Sequence, residues 1–337
     1  MSDVAAEVST TGRAFADSPV RTVFFGSGSF AIPILDALVT MPGIAVEAVV
    51  SAPDRPVGRK AVLTPTPVTA RAIELGLPVL RPVRVRRPES VEELRAIAPD
   101  LIVLADYGQL IPPSLLNLPP RGFLNLHPSA LPRHRGAAPI PATILAGDTE
   151  SAVTLMVVGE EMDAGPIVAT EPLEVRPDDT AVTLEERAAE AAATLLRRAL
   201  PEWLAGRLSA RPQAAEGVTL TRPLRREDGR LDPERPAVEL ERQVRAYQPW
   251  PGSYIESDKT VGGRLIVWQA HVAPAEPGDV DRVGWFVPAS TPFAGRSDPG
   301  QPFVTREGRL VLDVMQVAGG RPMSAAEYRR GHPDPSG

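Results

Sequence analysis

From Val20 onward, short unbroken apolar runs alternate with helix-like stretches, and this alternation narrows the available folds more than any other feature of the chain. Val23, Phe24 and Phe25 lead into a glycine turn, a helix-like stretch covers Ala31 to Val39, and a second apolar run follows from Ala45 to Val50. Strands that are apolar at successive positions, rather than at alternate ones, are buried on both faces, the condition of a parallel sheet covered by helices. The order continues with a helix over Ala70 to Leu75, strands over Leu101 to Ala105 and Phe123 to His127, a helix over Ile140 to Ala146 and a strand over Ala152 to Val158. A long helix rich in alanine and leucine, from Thr183 to Leu204 and opened by a Thr183-x-x-Glu186 capping box, closes this unit. The fold class expected is α/β, with a Rossmann-like parallel sheet in the first part of the chain.

A second domain is expected because 337 residues exceed what one such unit needs. Between Gly206 and Pro236 the periodicity fades into Arg, Pro, Glu, Asp and Gly, the composition of a linker. Beyond it, β-like runs at Ser253 to Glu256, Leu265 to His271, Gly284 to Val287 and Leu310 to Val317 are separated by turn residues, with one helix near Val238 to Ala246. That pattern predicts a small β-barrel or sandwich, in which Trp250-Pro251-Gly252 serves as a core and turn element. The division expected is a disordered tail over 1–19, a first domain over 20–205, a linker over 206–225, a β-barrel domain over 226–330 and a tail over 331–337.

With no cysteine in the chain, disulfides, thiolate metal sites and a cysteine nucleophile are excluded. Met1 to Pro19 carries Asp3, Glu7 and Asp17 and lacks a continuous apolar core, and no later run reaches the roughly 20 apolar residues of a spanning helix. No membrane association and a cytoplasmic location are expected. A net charge of −6 argues against a broad cationic coat, although Arg81, Arg84, Arg86 and Arg87, and again Arg222, Arg225 and Arg226, form local clusters able to hold phosphates.

The most informative segment is FLNLHPSALPRHRGAAPI, residues 123–140. Side chains two apart on a strand share a face, so Asn125 and His127 project together while Leu124 and Leu126 face the other way. A buried parallel strand has little reason to end in an amide and an imidazole, and ligands of open α/β sheets bind just beyond strand carboxyl ends. Asp163, in Glu161-Met162-Asp163-Ala164-Gly165-Pro166, follows a later strand, and the Gly-Pro turn can carry its carboxylate back toward His127. An Asn, His, Asp trio of this kind suits acyl transfer to an amine. Asn125 donates to the oxygen that becomes negative, His127, held protonated by Asp163, donates a second hydrogen bond or a proton, and Asp163 accepts the proton that the amine sheds. No acyl-enzyme is required.

On these residues the chain resembles the folate-dependent formyltransferases, whose members share an Asn-x-His strand and a downstream Asp-x-Gly loop, here Asn125-Leu126-His127 and Asp163-Ala164-Gly165. Further segments are similar to the branch acting on methionyl-initiator tRNA: FFGSGSF (24–30), APDRPVGRK (52–60) with TPTPV (64–68), GLPVLRP (76–82), LPRHRGAAPI (131–140), RAYQPWPGSY (245–254) and the closing Arg321-Pro322-Met323-Ser324-Ala325. The similarity runs from about Val20 to Arg330. It implies a formyltransferase domain, a C-terminal barrel of oligonucleotide-binding type that takes tRNA, and the catalytic roles given above. It further implies 10-formyltetrahydrofolate as co-substrate, with no permanently bound cofactor and no metal, and a monomer. Folate contacts are expected from Ser129, Leu131, Pro132, Asp106, Tyr107 and Gly108, and tRNA contacts from Arg55, Arg59, Lys60 and Arg135. The loop from Asp54 to Val68 corresponds to an insertion that reaches the tRNA acceptor end, and its arginines, lysine and glycine suit phosphate contact. Two departures mark this chain: Asp106-Tyr107-Gly108 stands where Ala-Tyr-Gly is common, and His134 where an aromatic residue is usual.

Other readings remain open at this point. Gly26-Ser27-Gly28-Ser29-Phe30-Ala31 fits the G-x-G-x-x-A dinucleotide fingerprint, with Asp54 after the next strand, so an NAD-dependent oxidoreductase is one. A formyltransferase acting on an amino sugar nucleotide would share the whole trio. A tRNA-binding protein without catalysis is a third, and the presence of all three polar residues argues against it.

Overall fold

The computed structural model describes residues 18–58, 61–256, 263–288 and 298–331. Arg59 and Lys60, with nearly all of both expected tails, lie outside the described residues. The chain forms two compact units. The first extends to Pro139 and also takes Glu150–Glu174 and Glu185–Thr221, while the second takes Ile140–Thr149, Val175–Leu184 and the residues from Arg222 onward.

In chain order come β1 (Val20–Gly26), α1 (Ile32–Thr40), β2 (Ile44–Val50), a hairpin of β3 (Arg55–Val57) and β4 (Val62–Thr64), α2 (Pro67–Glu74) and β5 (Val79–Leu80). These are followed by α3 (Pro88–Ile97), β6 (Leu101–Ala105), α4 (Pro113–Leu116), β7 (Phe123–His127), β8 (Arg135–Gly136) and α5 (Pro139–Ala146). Then come β9 (Glu150–Val157), β10 (Ile167–Glu174), the long α6 (Ala181–Leu204) and β11 (Leu220–Thr221).

The main sheet has the order β10-β9-β7-β6-β1-β2-β5. From β5 to β7 neighbouring strands are parallel, as their unbroken apolar runs require. β9 is antiparallel to β7, and β10 antiparallel to β9, so the sheet is mixed at one edge. The short return through residues 158–166 allows only an antiparallel pairing, and β10 alternates covered and exposed residues as an edge strand does. Phe24, Phe25 and Phe123 are almost wholly shielded from solvent, each contributing about 2–3 kcal/mol of hydrophobic transfer.

Two local expectations are corrected here. α6 begins at Ala181, ahead of the expected Thr183. The cap is a reciprocal pair in which Thr180 Oγ1 accepts the Thr183 N–H and Thr183 Oγ1 accepts the Thr180 N–H. Threonine at the third helical position thus does the work that Glu186 was expected to do. In the stretch resembling a linker, Arg211 pairs with Ile167 and β11 pairs with β8, so the chain is tied into the first unit as far as Thr221. Ladders of one or two residues leave no periodic trace in a sequence.

The second unit contains α7 (Ala237–Ala246), β12 (Ser253–Glu256), β13 (Arg264–Ala273), β14 (Gln301–Val304), β15 (Arg309–Val317), β16 (Met323–Ser324) and α8 (Ala325–Gly331). Its strands are antiparallel, in the order β12-β13-β15-β14 with β16 on β15. Leu240 and Val244 of α7 and Tyr328 of α8 pack with Leu265, Phe303 and Leu312 to form the core. Gly284 to Val287, expected as a strand, lies antiparallel to β14: Phe286 bridges to Phe303, and the N–H groups of Gly284 and Val287 donate to the Val304 and Pro302 carbonyls. A helical turn at Asp279–Arg282 precedes it, anchored by Arg309, whose Nε and Nη2 each donate to Asp279 at 2.7 Å. That hydrogen bonding holds the Asp279 carboxyl below the usual carboxylate range. Trp250 is 54% exposed rather than part of the core, which Tyr254 and Ile255 fill instead. Pro249 and Pro251 offer no N–H on either side of it, so the segment does not join the sheet and the indole stays outside. Among the described residues no helix is long and apolar enough to cross a membrane.

Candidate active site

Every side chain of β7 is buried. Leu124 and Leu126 fill one face, whereas Asn125 and His127 place an amide and an imidazole, 6% and 5% exposed, where each polar atom needs a partner. The turn after the strand supplies one. Ser129 donates its hydroxyl to the Arg133 carbonyl at 2.7 Å, and Thr154, opposite His127 on β9, donates to the Ser129 carbonyl at 2.7 Å. This brings the His134 carbonyl to 3.0 Å from His127 Nε2. A carbonyl only accepts, so Nε2 carries a hydrogen and Nδ1 is the nitrogen left to face Asp163.

Asp163 arrives from the loop between β9 and β10. A Cβ on Gly165 would lie 1.8 Å from the Val157 carbonyl oxygen, so only glycine lets the chain fold back this closely on the end of β9. Asp163 itself is left-handed, with φ 49°, a conformation that aspartate tolerates better than most residues. Its Oδ2 accepts the Gly136 N–H at 2.8 Å, and its Oδ1 accepts from Asn125 Nδ2 at 3.3 Å. His127 Nδ1 stands 3.7 Å from Oδ2. The three residues singled out in the sequence are thus gathered around one carboxylate.

Asn125 is only partly satisfied. One N–H of its amide is spent on Asp163, and its Oδ1 is buried without a hydrogen-bond partner. Exchanging the amide oxygen and nitrogen would turn Oδ1 against the carboxylate, so Asp163 sets the orientation. An orphaned buried acceptor costs about 1–3 kcal/mol. Such an atom beside a free N–H matches a reaction that brings a carbonyl and an amine to the same spot.

Gln213 escaped sequence reasoning. Its Nε2 donates to the carbonyls of Asp163 and Gly165, both at 2.8 Å, and its Oε1 accepts from Arg135 Nε at 3.0 Å and Nη2 at 2.7 Å. It lies in the aperiodic stretch before β11, where no spacing marks it.

The remaining expected residues are placed as follows. Ser129 is fully buried with its hydroxyl used in the turn, Leu131 is buried and Pro132 half-buried. Asp106, Tyr107 and Gly108 follow β6, the strand beside β7. Tyr107 packs edge-on against Phe25, with ring centroids 5.2 Å apart, and burial pushes its phenol above the usual range. Gly108 is exposed. Asp106 is left-handed, with φ 48°, and its carboxylate accepts the Gly28 N–H. The outer edge of Asp106 is open to solvent, but its carboxyl end is crowded by protein, and that crowding, followed by the Glu185 charge, raises it above the usual carboxylate range. Ser29 donates to Glu185 at 2.6 Å. Arg55 is exposed at the start of the β3–β4 hairpin, and Arg135 is half-buried and bound to Gln213.

The glycine turn after β1 has the form of a dinucleotide fingerprint, yet the Gly28 N–H that would meet a phosphate already meets Asp106, with Glu185 close by. Two carboxylates at that point disfavour a pyrophosphate. Among the described residues no group of three or more His, Asp or Glu side chains could hold a metal ion.

The formyl transferase profile matches residues 20–200, and the profile of the formyl transferase C-terminal domain matches residues 223–333. A methionyl-tRNA formyltransferase of Myxococcus xanthus is 41% identical over 312 residues, covering 93% of this chain and 95% of the relative. That of Thermus thermophilus is 41% identical over 315 residues, covering 93% and 96%. Among solved structures, the N-formyltransferase of Helicobacter canadensis in complex with folinic acid and dTDP-3-aminofucose aligns with a TM-score of 0.61 at 14% identity, covering 87% of this chain and 98% of that one. HypX of Aquifex aeolicus in complex with tetrahydrofolic acid aligns with a TM-score of 0.57 at 18% identity, covering 94% and 48%. These two likenesses bear on the fold.

Proposed function

The chain belongs to the formyl transferase family, and from that premise we propose that it transfers the formyl group of 10-formyltetrahydrofolate to the α-amino group of methionyl-initiator tRNA. The observation that carries the chemistry is the half-satisfied Asn125 beside His127 and Asp163. The amine lone pair adds to the formyl carbon and a new C–N bond forms. Negative charge gathers on the formyl oxygen, where the free Asn125 N–H and a His127 Nδ1–H donate. Asn125 Oδ1 accepts an N–H of the incoming amine, which orients its lone pair, and Asp163 takes the proton shed, directly or through water. The C–N bond to the folate then breaks, and the proton passes to the departing folate nitrogen, so the exchange is proton-neutral.

The choice of amine rests on relatives named methionyl-tRNA formyltransferase at 38–42% identity over most of the chain, set against 14% for the sugar-acting structure. The exposed hairpin, with Arg55 and with Val62 and Leu63 at its surface, suits contact with the tRNA acceptor end, and the second unit is assigned to the body of the tRNA. Asp106, Tyr107, Gly108, Ser129, Leu131 and Pro132 are assigned to the folate side, and a monomer working in the cytoplasm without a resident cofactor completes the reading.

The test offers 10-formyltetrahydrofolate with either methionine-charged initiator tRNA or a nucleotide-linked amino sugar. Formyl is expected on the tRNA-bound methionine. Transfer to the sugar amine alone refutes the proposed substrate, and transfer to neither refutes the reaction.

A further inference from the structure

We propose that Gln213 is a positioning residue of this site, holding the Asp163 loop at the angle from which its carboxylate meets Asn125 and His127. The kinetic consequence rests on the formyl-transfer reading above, while the claim about Asp163 rests on geometry alone.

Asp163 is the left-handed residue of a loop that belongs to neither β9 nor β10, so no ladder of either strand holds its main chain. Gln213 does that instead. Both hydrogens of its Nε2 go to this loop, one to the Asp163 carbonyl and one to the Gly165 carbonyl, each at 2.8 Å. Both lone pairs of its Oε1 are taken by Arg135 at 3.0 and 2.7 Å. All four hydrogen-bonding positions of the amide are therefore used. No other side chain fits the same four partners. Glutamate would turn an acceptor toward two carbonyls, and asparagine is one methylene short.

From Arg211 to Leu220 every side chain is exposed except that of Gln213. The strap around it is anchored on both sides. Arg211 exchanges hydrogen bonds with Ile167 at 2.8 and 2.7 Å, and Thr219 Oγ1 accepts the N–H of His134, the residue whose carbonyl holds His127 Nε2. Gln213 meets only main-chain atoms of the Asp163 loop, and the Asp163 side chain points to Gly136 and Asn125. Its action on the chemistry passes through Asp163.

The experiment compares wild type, Gln213→Leu, Gln213→Glu, Asp163→Asn and the Gln213→Leu/Asp163→Asn double variant. Formylation kinetics are combined with amide spectra of protein labelled with 15N-glycine. Gln213→Leu is expected to lower kcat by about 10- to 100-fold, with KM for both substrates within about threefold, because loss of alignment rather than of binding is the defect. In the Asp163→Asn background the same change is expected to cost less than about threefold, since the two residues act as one unit. The Gly136 amide, which donates to Asp163, is expected to shift and to exchange faster with solvent, while the Gly252 amide, bonded to the Tyr247 carbonyl, stays in place. Wild-type kcat in both single Gln213 variants, an equal loss in the Asp163→Asn background, or an unmoved Gly136 resonance would overturn the proposal. If Gln213→Leu does not fold, Gln213→Glu, equal in size, carries the same test. Wild-type protein inactive on methionyl-tRNA counts against the substrate reading, and the Gly136 resonance then decides on Gln213.

Discussion

Asp163 and Asp106 both adopt a left-handed backbone, φ 49° and 48°, and both accept the N–H of a glycine, Gly136 and Gly28. Their company differs. Asp163 has the Asn125 amide on one oxygen and the His127 ring facing the other. Asp106 has the Glu185 carboxylate nearby, and crowding and like charge together raise its carboxyl above the usual range. The same residue in the same conformation is thus a charge acceptor among donors in one place and a costly charge beside an acid in the other. A carboxylate near a strand end becomes a candidate for proton transfer through the groups around it, not through its position on the sheet.

The comparison breaks most readily at the donors around Asp163. His127→Ala should lower kcat by about 10³- to 10⁴-fold with folding retained, measured as formylation kinetics alongside circular dichroism. A loss below tenfold would remove the imidazole from the chemistry. Gly165→Ala comes next, because its Cβ would meet the Val157 carbonyl oxygen at 1.8 Å and push the Asp163 loop away. A fall in kcat of about 10²-fold is expected, together with a lower Tm, and an unchanged turnover would mean that the loop need not sit where it does.

At the other aspartate the expected effects are small and lie in stability. Because the folded-state value of Asp106 is raised, its favourable contribution is complete below the unfolded carboxylate range and is lost as pH rises through the folded value. At neutral pH the ionised group therefore costs stability. Asp106→Asn should unfold at a slightly higher temperature than wild type at neutral pH, and the difference should vanish as pH falls below the carboxylate range. Glu185→Gln, which removes only the neighbouring charge, should act in the same direction and less. Thermal unfolding across pH measures both, and a lower Tm for Asp106→Asn at neutral pH contradicts this account of Asp106.

Much of the frame was legible because burial on both faces writes itself into a strand as consecutive apolar residues, as at Val23 to Phe25 and at Leu101 to Ala105. Asn125 and His127 were legible for the converse reason, since two polar side chains on a buried strand need an explanation. Asp163 could be found through its Gly-Pro turn, but not the left-handed geometry that aims it. Gln213 left no trace, because a side chain that binds main-chain carbonyls has no partner residue type to match it with. The Nε2 commitment of His127 depends on the His134 carbonyl, an atom that every residue carries. The antiparallel edge was hidden because β9 is as buried as its parallel neighbours and only β10 alternates. β14 was hidden by Pro302, and the outward Trp250 by its apolar character.

The most direct measurement applies one isosteric change to both aspartates: single-turnover formyl transfer from 10-formyltetrahydrofolate to methionyl-initiator tRNA by Asp163→Asn and Asp106→Asn, side by side with wild type. With both substrates saturating, so that a change in folate affinity at Asp106 does not enter the rate, the account predicts that Asp163→Asn slows transfer by about 10³-fold or more while Asp106→Asn stays within about threefold. Comparable rates for the two variants, or near-normal transfer by Asp163→Asn, would contradict it.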